Sequence, residues 1–364
     1  MKNILIYSPR EINTSMGGVE RVTDALARLL IKHGYSVTYL VKDRTSDNPY
    51  TTVTEEIHLT DNKKERKNQI LTVLREKHID VIINQFGFFS FLPRKKVPKN
   101  IKVISVIHDS YYAMYKTLPF GKLRLMKWKW VISRMLKTVY QDSDKIILFS
   151  KKFIPEYQFF TRNNDSSKFV IIPNFNAYEK TEILPKEKTV LFVGRMQIIH
   201  KKADYLLNIW KRVFNEHPDW NLKIVGDGDD RIYLEEMACE LGLQNYSFEG
   251  IQNPISYYQR GSILCMTSSF ESFGMVLTEA MQHKVVPMAF NSYSIASEII
   301  ETGVDGFLIE PFDLDAYAAK LSLLMKDVEL RNAMAEKAYC SVQKFSPKVI
   351  GERWVNLLDN IDQQ

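Results

Sequence analysis

The sequence predicts an α/β protein of two Rossmann-like halves, each organised on a parallel sheet. Three observations carry that prediction. A chain of 364 residues exceeds what one hydrophobic core serves and divides into domains of about 170 residues each. Short apolar runs alternate with amphipathic segments in a βαβ rhythm, and the rhythm occurs twice. Between the two series, Pro173 to Lys188 is polar, holds two prolines and has neither helical nor strand periodicity, so it reads as a linker. The halves are expected at residues 1–175 and 188–345, with residues 346–364 as a closing helix.

In the first half the apolar runs predict strands at Asn3–Tyr7, Ser36–Val41, Val81–Asn84, Val103–Ile107, Lys145–Phe149 and Phe169–Ile172. In the second half they fall at Thr189–Val193, Leu222–Val225, Tyr246–Phe248, Ile263–Met266 and Val285–Ala289. Helical spacing of apolar residues predicts helices at Val19–Lys32, Lys63–Lys77, Lys122–Tyr140, Asp204–Glu216, Arg231–Leu241, Met275–Gln282, Leu314–Lys326 and Glu329–Gln343. The last segment, Pro347–Ile361, carries Val349, Ile350, Trp354, Leu357 and Leu358 on one face and reads as a further amphipathic helix.

Composition narrows the class. Hydrophobic residues make up 45% of the chain, ample for two cores, and Cys239, Cys265 and Cys340 are scattered without metal spacing. That cysteine usage suggests a reducing cytoplasm. Met1 to Ser8 is strand-like and lacks the charged-then-apolar plan of a secretory signal. No apolar stretch approaches the length of a membrane span. The net charge of +6 is unevenly placed: Arg94 to Lys137 holds twelve Lys/Arg against one acid, Asp109. Within that block Leu125, Trp128, Ile132, Met135, Leu136 and Val139 recur at helical spacing, while Lys122, Lys127, Lys129, Arg134 and Lys137 fall mostly opposite. With Trp128 and Trp130 as interfacial aromatics, the helix suits an anionic membrane surface; the plainer reading is a domain helix with a solvated basic face. No recognition-helix, RNP or zinc pattern accompanies the charge, which disfavours nucleic acid.

The chemistry concentrates in Phe270-Glu271-Ser272-Phe273-Gly274-Met275-Val276-Leu277-Thr278-Glu279-Ala280-Met281. Phe273 and Gly274 end a loop and Met275 opens a helix, so Glu271 precedes the helix and Glu279 lies on its second turn. Free N–H groups at Gly274 to Val276, with the helix dipole behind them, suit a diphosphate. This run resembles the Glu-x7-Glu signature of glycosyltransferase family 4, retaining enzymes of the GT-B fold. The resemblance covers essentially the whole chain and is most specific from Val190 to Pro311. It implies two Rossmann-like domains facing across a cleft, the first for acceptor and the second for nucleotide-sugar, with the last helix returning to the first domain. It also implies that Glu279 holds the ribose hydroxyls and Glu271 the hydroxyls of the transferred sugar. Ionised glutamate suits both tasks, since it only accepts hydrogen bonds and vicinal diols offer two donors.

Further motifs extend the resemblance. Met16-Gly17-Gly18-Val19 after the first strand resembles the family's Gly-Gly loop at the donor diphosphate and acceptor cleft, and is no dinucleotide fingerprint. His108 and Asp109 end the fourth predicted strand, where open α/β sheets place ligands. In the family such a histidine commonly meets the 6-hydroxyl of the donor sugar, and Asp109 is a candidate acceptor contact or helix cap. Gly194-Arg195 and His200-Lys201-Lys202-Ala203-Asp204 match the family's Gly-Arg and Lys-Gly-x-Asp, giving Arg195 and Lys201 as the diphosphate clamp. Such cations act most on the charge that builds on the departing nucleoside diphosphate. Lys202 stands where the family has glycine, so either Lys201 or Lys202 reaches the phosphate. Gly226-Asp227-Gly228 matches the family's turn, with Asp229 or Asp230 capping the next helix, and is not read as an Asp-x-Asp metal motif. Gly250-Ile251 resembles the turn whose backbone recognises the base, and Asn291-Ser292-Tyr293-Ser294 departs from the family's Gly-Gly-x-x-Glu near the sugar.

The resemblance therefore implies a cytoplasmic, peripheral-membrane transferase that needs no metal. It moves a hexose or N-acetylhexosamine, from UDP in preference to GDP, with retention, to a lipid-linked or membrane-associated glycan acceptor of surface polysaccharide assembly. An epimerase of the same fold and a non-catalytic partner subunit are the alternatives. The Phe273-Gly274-Met275-Val276 helix start disfavours the first, and Arg195, Lys201, Glu271 and Glu279 together weigh against the second.

Overall fold

A computed structural model describes residues 2–10, 12, 17–43, 55–85, 93–176, 178 and 182–363. Contacts divide the chain into two compact units. One comprises residues 1–112, 119–177 and 346–364, and the other residues 113–118 and 178–345. Met16 and part of the linker lie outside the described residues.

The first unit is built on β1 (Asn3–Arg10), β2 (Ser36–Asp43), β3 (Glu56–His58), β4 (Val81–Asn84), β5 (Lys102–Val106), β6 (Lys145–Leu148) and β7 (Phe169–Ile171). Their order is β3-β2-β1-β4-β5-β6-β7, all parallel. The chain reverses direction across the sheet between β1 and β4, a topological switch point of the kind that receives ligands. Ile4, Leu5, Ile6, Ile82 and Ile83 are fully buried, as expected of strands covered on both faces. Helices α1 (Gly18–Lys32), α2 (Lys63–Glu76), α4 (Lys122–Asp142) and α5 (Phe153–Thr161) connect or flank these strands, while most of the short α3 (Tyr111–Thr117) is counted with the other unit.

The second unit contains β8 (Thr189–Val193), β9 (Asn221–Val225), β10 (Tyr246–Gly250), β11 (Ile263–Met266), β12 (Val286–Phe290) and β13 (Phe307–Ile309), ordered β10-β9-β8-β11-β12-β13 and again all parallel. Here the switch falls between β8 and β11, paired at Val190 with Ile263 and Leu191 with Leu264. Its helices are α6 (Ile198–Lys201), α7 (Ala203–Val213), α8 (Arg231–Glu240), α9 (Ile255–Arg260), α10 (Met275–Gln282), α11 (Ala296–Ile299), α12 (Leu314–Lys326) and α13 (Val328–Ser341). Trp210, Trp220, Phe192 and Tyr317 fill the core between sheet and helices.

The final helix, α14 (Pro347–Asn360), belongs to the first unit. Ser346 caps it, and Ile350, Trp354, Leu357 and Leu358 are buried. Lys2 donates to the Leu358 carbonyl at 2.5 Å, and the Tyr35 hydroxyl donates to Asp359 at 2.5 Å. No helix among the described residues is long and apolar enough to cross a membrane.

Two strands escape the sequence reading, β3 and β13. Each has three residues, too few to establish a period, and each is an outer strand of its sheet. Most other predicted strands move by one to three residues. The strand before His108 is therefore the fifth and ends at Val106.

Candidate functional site

The carboxyl ends of β8 and β11 bring most of the sequence-predicted residues of the second unit together at the switch point. After β8 come Gly194 and the exposed Arg195, which makes no ion pair among the described residues. Helix α6 then carries His200 and Lys201. After β11, Thr267, Ser268 and Ser269 are buried and hold that short helix in place. The Thr267 hydroxyl donates to the Lys201 carbonyl at 2.9 Å, and Ser269 donates to the carbonyls of Ile199 and His200 at 2.9 and 3.0 Å. His200 stacks on Phe270 with ring centroids 4.1 Å apart.

Lys201 and Glu271 meet directly. Lys201 Nζ stands 2.5 Å from Glu271 Oε1, the same oxygen that accepts from Ser268 Oγ at 2.6 Å. Glu271 Oε2 has no protein hydrogen-bond partner among the described residues. Burial pushes the Glu271 pKa upward, but the Lys201 charge, the His200 charge where that ring is protonated, and both hydrogen bonds outweigh it, so the carboxyl is held below its usual range.

Lys202 has a left-handed backbone, φ +50°. The position keeps the conformation natural to glycine although lysine occupies it. Its ammonium sits 5.1 Å from the Tyr205 ring centroid, so of the two lysines it is Lys201 that faces Glu271.

Gly274 has φ +86° and forms the N-cap of α10. The Gly274, Met275 and Val276 N–H groups donate to no backbone carbonyl among the described residues, as at any helix start. Phe273 is buried against Phe345. Glu279, on the second turn of α10, is fully buried and accepts from the Tyr258 hydroxyl at 3.0 Å. Tyr258 stacks on His283, whose Nδ1 lies 2.7 Å from the Glu279 carbonyl.

The glycine turn after β9 serves packing. A Cβ on Gly226 would lie 2.0 Å from the Gly194 carbonyl oxygen, so the bare backbone lets the β8 and β9 loops touch. Asp227 accepts from the Gly228 N–H and from Arg231. The predicted helix cap needs correcting: Asp230 is at the N-cap of α8, but its carboxylate makes no capping bond and instead accepts from the Ile198 N–H at 2.8 Å, anchoring α6. Gly250 has φ +70° at the end of β10, and Ile251 is largely exposed.

In the first unit, Gly17 and Gly18 open α1, and the Glu20 carboxylate folds back to within 2.8 Å of where a Gly17 Cβ would stand. That helix start already holds a carboxylate. His108 Nε2 lies 2.7 Å from Gln85 Oε1, and the ring packs edge-on against Phe149. Burial pushes the His108 pKa down to about 3, so the imidazole is neutral. Gln85 follows β4 and His108 follows β5, and both line a small cavity with Asn174, Phe175 and Trp354. Asp109 is exposed and accepts from the Tyr111 hydroxyl at 3.0 Å.

Helix α4 corrects the interfacial assignment of Trp128. That ring packs into the unit, 6.0 Å from Phe160, and Lys129 lies 3.6 Å over the Phe159 ring. Trp130 points outward at 61% exposure, together with Leu123 at 84% and Met126 at 60%. Lys122, Lys127 and Arg134 are exposed, while Ile132, Leu136 and Val139 are buried.

Sequence reasoning missed Thr267, Ser269, Tyr258 and Gln85. They are ordinary hydroxyl and amide residues in loops or short helices, and only the fold brings them to Lys201, Glu279 and His108.

A pair of parallel sheets, each with residues gathered at its switch point, defines the architecture of GT-B glycosyltransferases. Residues 16–175 match the family "Glycosyltransferase Family 4", and residues 175–340 match "Glycosyl transferases group 1". The chain belongs to glycosyltransferase family 4. It is similar to an uncharacterized glycosyltransferase of Haemophilus influenzae, 28% identical over 94% of this chain and 97% of the relative. It is also similar to the amylovoran biosynthesis glycosyltransferase AmsD of Erwinia amylovora, 24% identical over 95% and 97%. Among solved structures, sucrose-phosphate synthase of Thermosynechococcus elongatus superposes with a TM-score of 0.82 at 16% identity over all of both chains. Anabaena HepE in complex with UDP-glucose gives 0.78 at 16%, covering 99% and 100%. The apo lipopolysaccharide outer core galactosyltransferase WaaB gives 0.74 at 18%, covering 98% and 99%. These structures share the fold.

Proposed function

We propose that the protein transfers a hexose or N-acetylhexosamine from a nucleotide-sugar, UDP in preference to GDP, to a lipid-linked or membrane-associated glycan acceptor with retention of anomeric configuration. The observation that carries this reading is the grouping of Arg195, Lys201 and Glu271 at the β8–β11 switch point, with the α10 start and Glu279 beyond them. Arg195 and Lys201 neutralise charge that accumulates on the departing diphosphate, so they act most at the transition state. Met275 and Val276 N–H groups add the helix dipole. Glu271 accepts from sugar hydroxyls, Glu279 from the ribose, and Gly250-Ile251 borders the base. The neutral His108 accepts from or donates to a sugar hydroxyl, and the acceptor attacks from the face the diphosphate leaves. The charge on the nucleotide is met by protein cations, so no resident metal is required.

A surface-polysaccharide role is supported by the amylovoran relative and by the name of another, a Campylobacter jejuni N-acetylgalactosaminyltransferase acting on an undecaprenol-linked glycan, which is 28% identical over 48% of this chain. The basic, partly apolar outer face of α4 suits the anionic inner face of a cell membrane.

The test is thermal shift against UDP- and GDP-sugars with EDTA present, comparing the native chain with Glu279→Gln. A rise of several degrees with one nucleotide class, lost in the variant, supports the reading. No rise with any donor overturns it. Inverted product configuration by NMR sinks the retaining mechanism alone.

A further inference from the structure

Tyr293 is 4% exposed, and its hydroxyl has no hydrogen-bond partner among the described residues. A buried, unpaired hydroxyl is costly to a fold and calls for a reason. Its position supplies one. The Tyr293 hydroxyl oxygen lies 3.1 Å from the point a Cβ on Gly274 would occupy, so it faces the N-cap of α10, and any side chain at Gly274 would cover it. The segment that carries it is tied to the charged pair: Ser292 Oγ donates to the Ser268 carbonyl at 2.8 Å, and Ser268 Oγ donates to Glu271 at 2.6 Å.

We propose that Tyr293 is a specificity-determining residue, its hydroxyl bonding a hydroxyl group of the transferred sugar once the donor has drawn Lys201 away from Glu271. The inference rests on the donor-site reading above and deepens it by naming the contact that selects the sugar. Lys201 and Glu271 are engaged with each other in the free protein, and a diphosphate competes for the lysine. As the pair opens, Glu271 and the Tyr293 hydroxyl become available on the same side of the α10 start. Burial first, and the Glu271 charge second, hold the Tyr293 pKa well above its usual value, so the phenol keeps its proton and serves as donor or acceptor. A site that pairs a buried polar group with a substrate hydroxyl rejects analogues lacking it, because the group is again left unpaired.

Calorimetric titration of the native chain and Tyr293→Phe tests this, using UDP, GDP, UDP-glucose, UDP-galactose, UDP-N-acetylglucosamine and GDP-mannose. Tyr293→Phe keeps the ring and removes only the unsatisfied hydroxyl, so its melting temperature holds or rises. The expected result is a loss of about tenfold in affinity for the preferred nucleotide-sugar, with affinity for the bare nucleoside diphosphate unchanged. A series of monodeoxy analogues of that donor then identifies the partner: one analogue weakens binding to the native chain and not to Tyr293→Phe. Equal affinity of the two proteins for the sugar nucleotide overturns the Tyr293 assignment and leaves the donor site standing. Absence of binding by every nucleotide and nucleotide-sugar to the native chain overturns the donor reading itself.

Discussion

At the residue scale the Lys201–Glu271 pair joins stability to the proposed donor site. Both side chains are mostly buried, at 20% and 12% exposure, so removing one leaves the other in a poor dielectric. Lys201→Met is expected to lose at least about tenfold in donor affinity and to cost about 1–3 kcal/mol of unfolding free energy at pH 7. The pH dependence follows from the sign of the Glu271 shift. Its folded pKa is depressed, so its stabilisation is present above the unfolded carboxylate value and is lost as pH falls through the folded one. The stability gap between Lys201→Met and the native chain therefore narrows in acid, checked by urea unfolding at pH 7 and pH 4. Arg195, Lys201, Glu271 and Glu279 were legible in the sequence as candidates, through the motifs by which the chain resembles its family. The bond between Lys201 and Glu271 was not, since those residues stand 70 positions apart.

At the scale of elements, the α6–α7 junction turns on Lys202 in a left-handed conformation. Lys202→Gly relieves that strain, and a gain of about 1 kcal/mol, read as a higher melting temperature, is expected. Gly226→Ala does the opposite. Its Cβ would collide with the Gly194 carbonyl, an inflexible backbone atom, and a loss of several kcal/mol is expected with displacement of Arg195. Helix α4 presents Leu123, Met126 and Trp130 beside Lys122, Lys127 and Arg134. On the membrane reading, Lys127→Glu/Arg134→Glu weakens sedimentation with phosphatidylglycerol vesicles by about tenfold or more while leaving phosphatidylcholine vesicles unaffected. Equal binding by variant and native chain would sink that reading. The basic face was legible from composition and spacing, but which tryptophan faces outward depends on α5, because Phe160 claims Trp128.

For the whole molecule, acid sensitivity is built into buried and half-buried histidines. His108, His200, His217 and His283 all have depressed pKa values, with burial the leading cause of each. A histidine held neutral in the fold takes up its proton on unfolding, so its contribution is intact above about pH 6.5 and is lost as pH falls. His108, at about 3, stays neutral across that range, and each pH unit below 6.5 costs up to about 1.4 kcal/mol for this one site. His108→Gln is expected to flatten the decline between pH 6.5 and 5 by up to about 2 kcal/mol, measured by denaturant unfolding at both values. An undiminished slope would show that His108 does not carry it.

By itself the sequence determined the two parallel sheets, the strand ends that carry the candidate site residues, and the Glu271–Glu279 helix start. Those features are local: apolar runs, glycine turns and helical spacing are written within a few turns of chain. Tertiary structure alone decided that Asp230 anchors α6 instead of capping α8, that Trp128 faces inward, and that Lys201 bonds Glu271. It alone left the Tyr293 hydroxyl buried beside Gly274 without a partner. Each is a meeting of segments distant in sequence, set by strand order and by competition for burial, and none of the four is encoded in any local period.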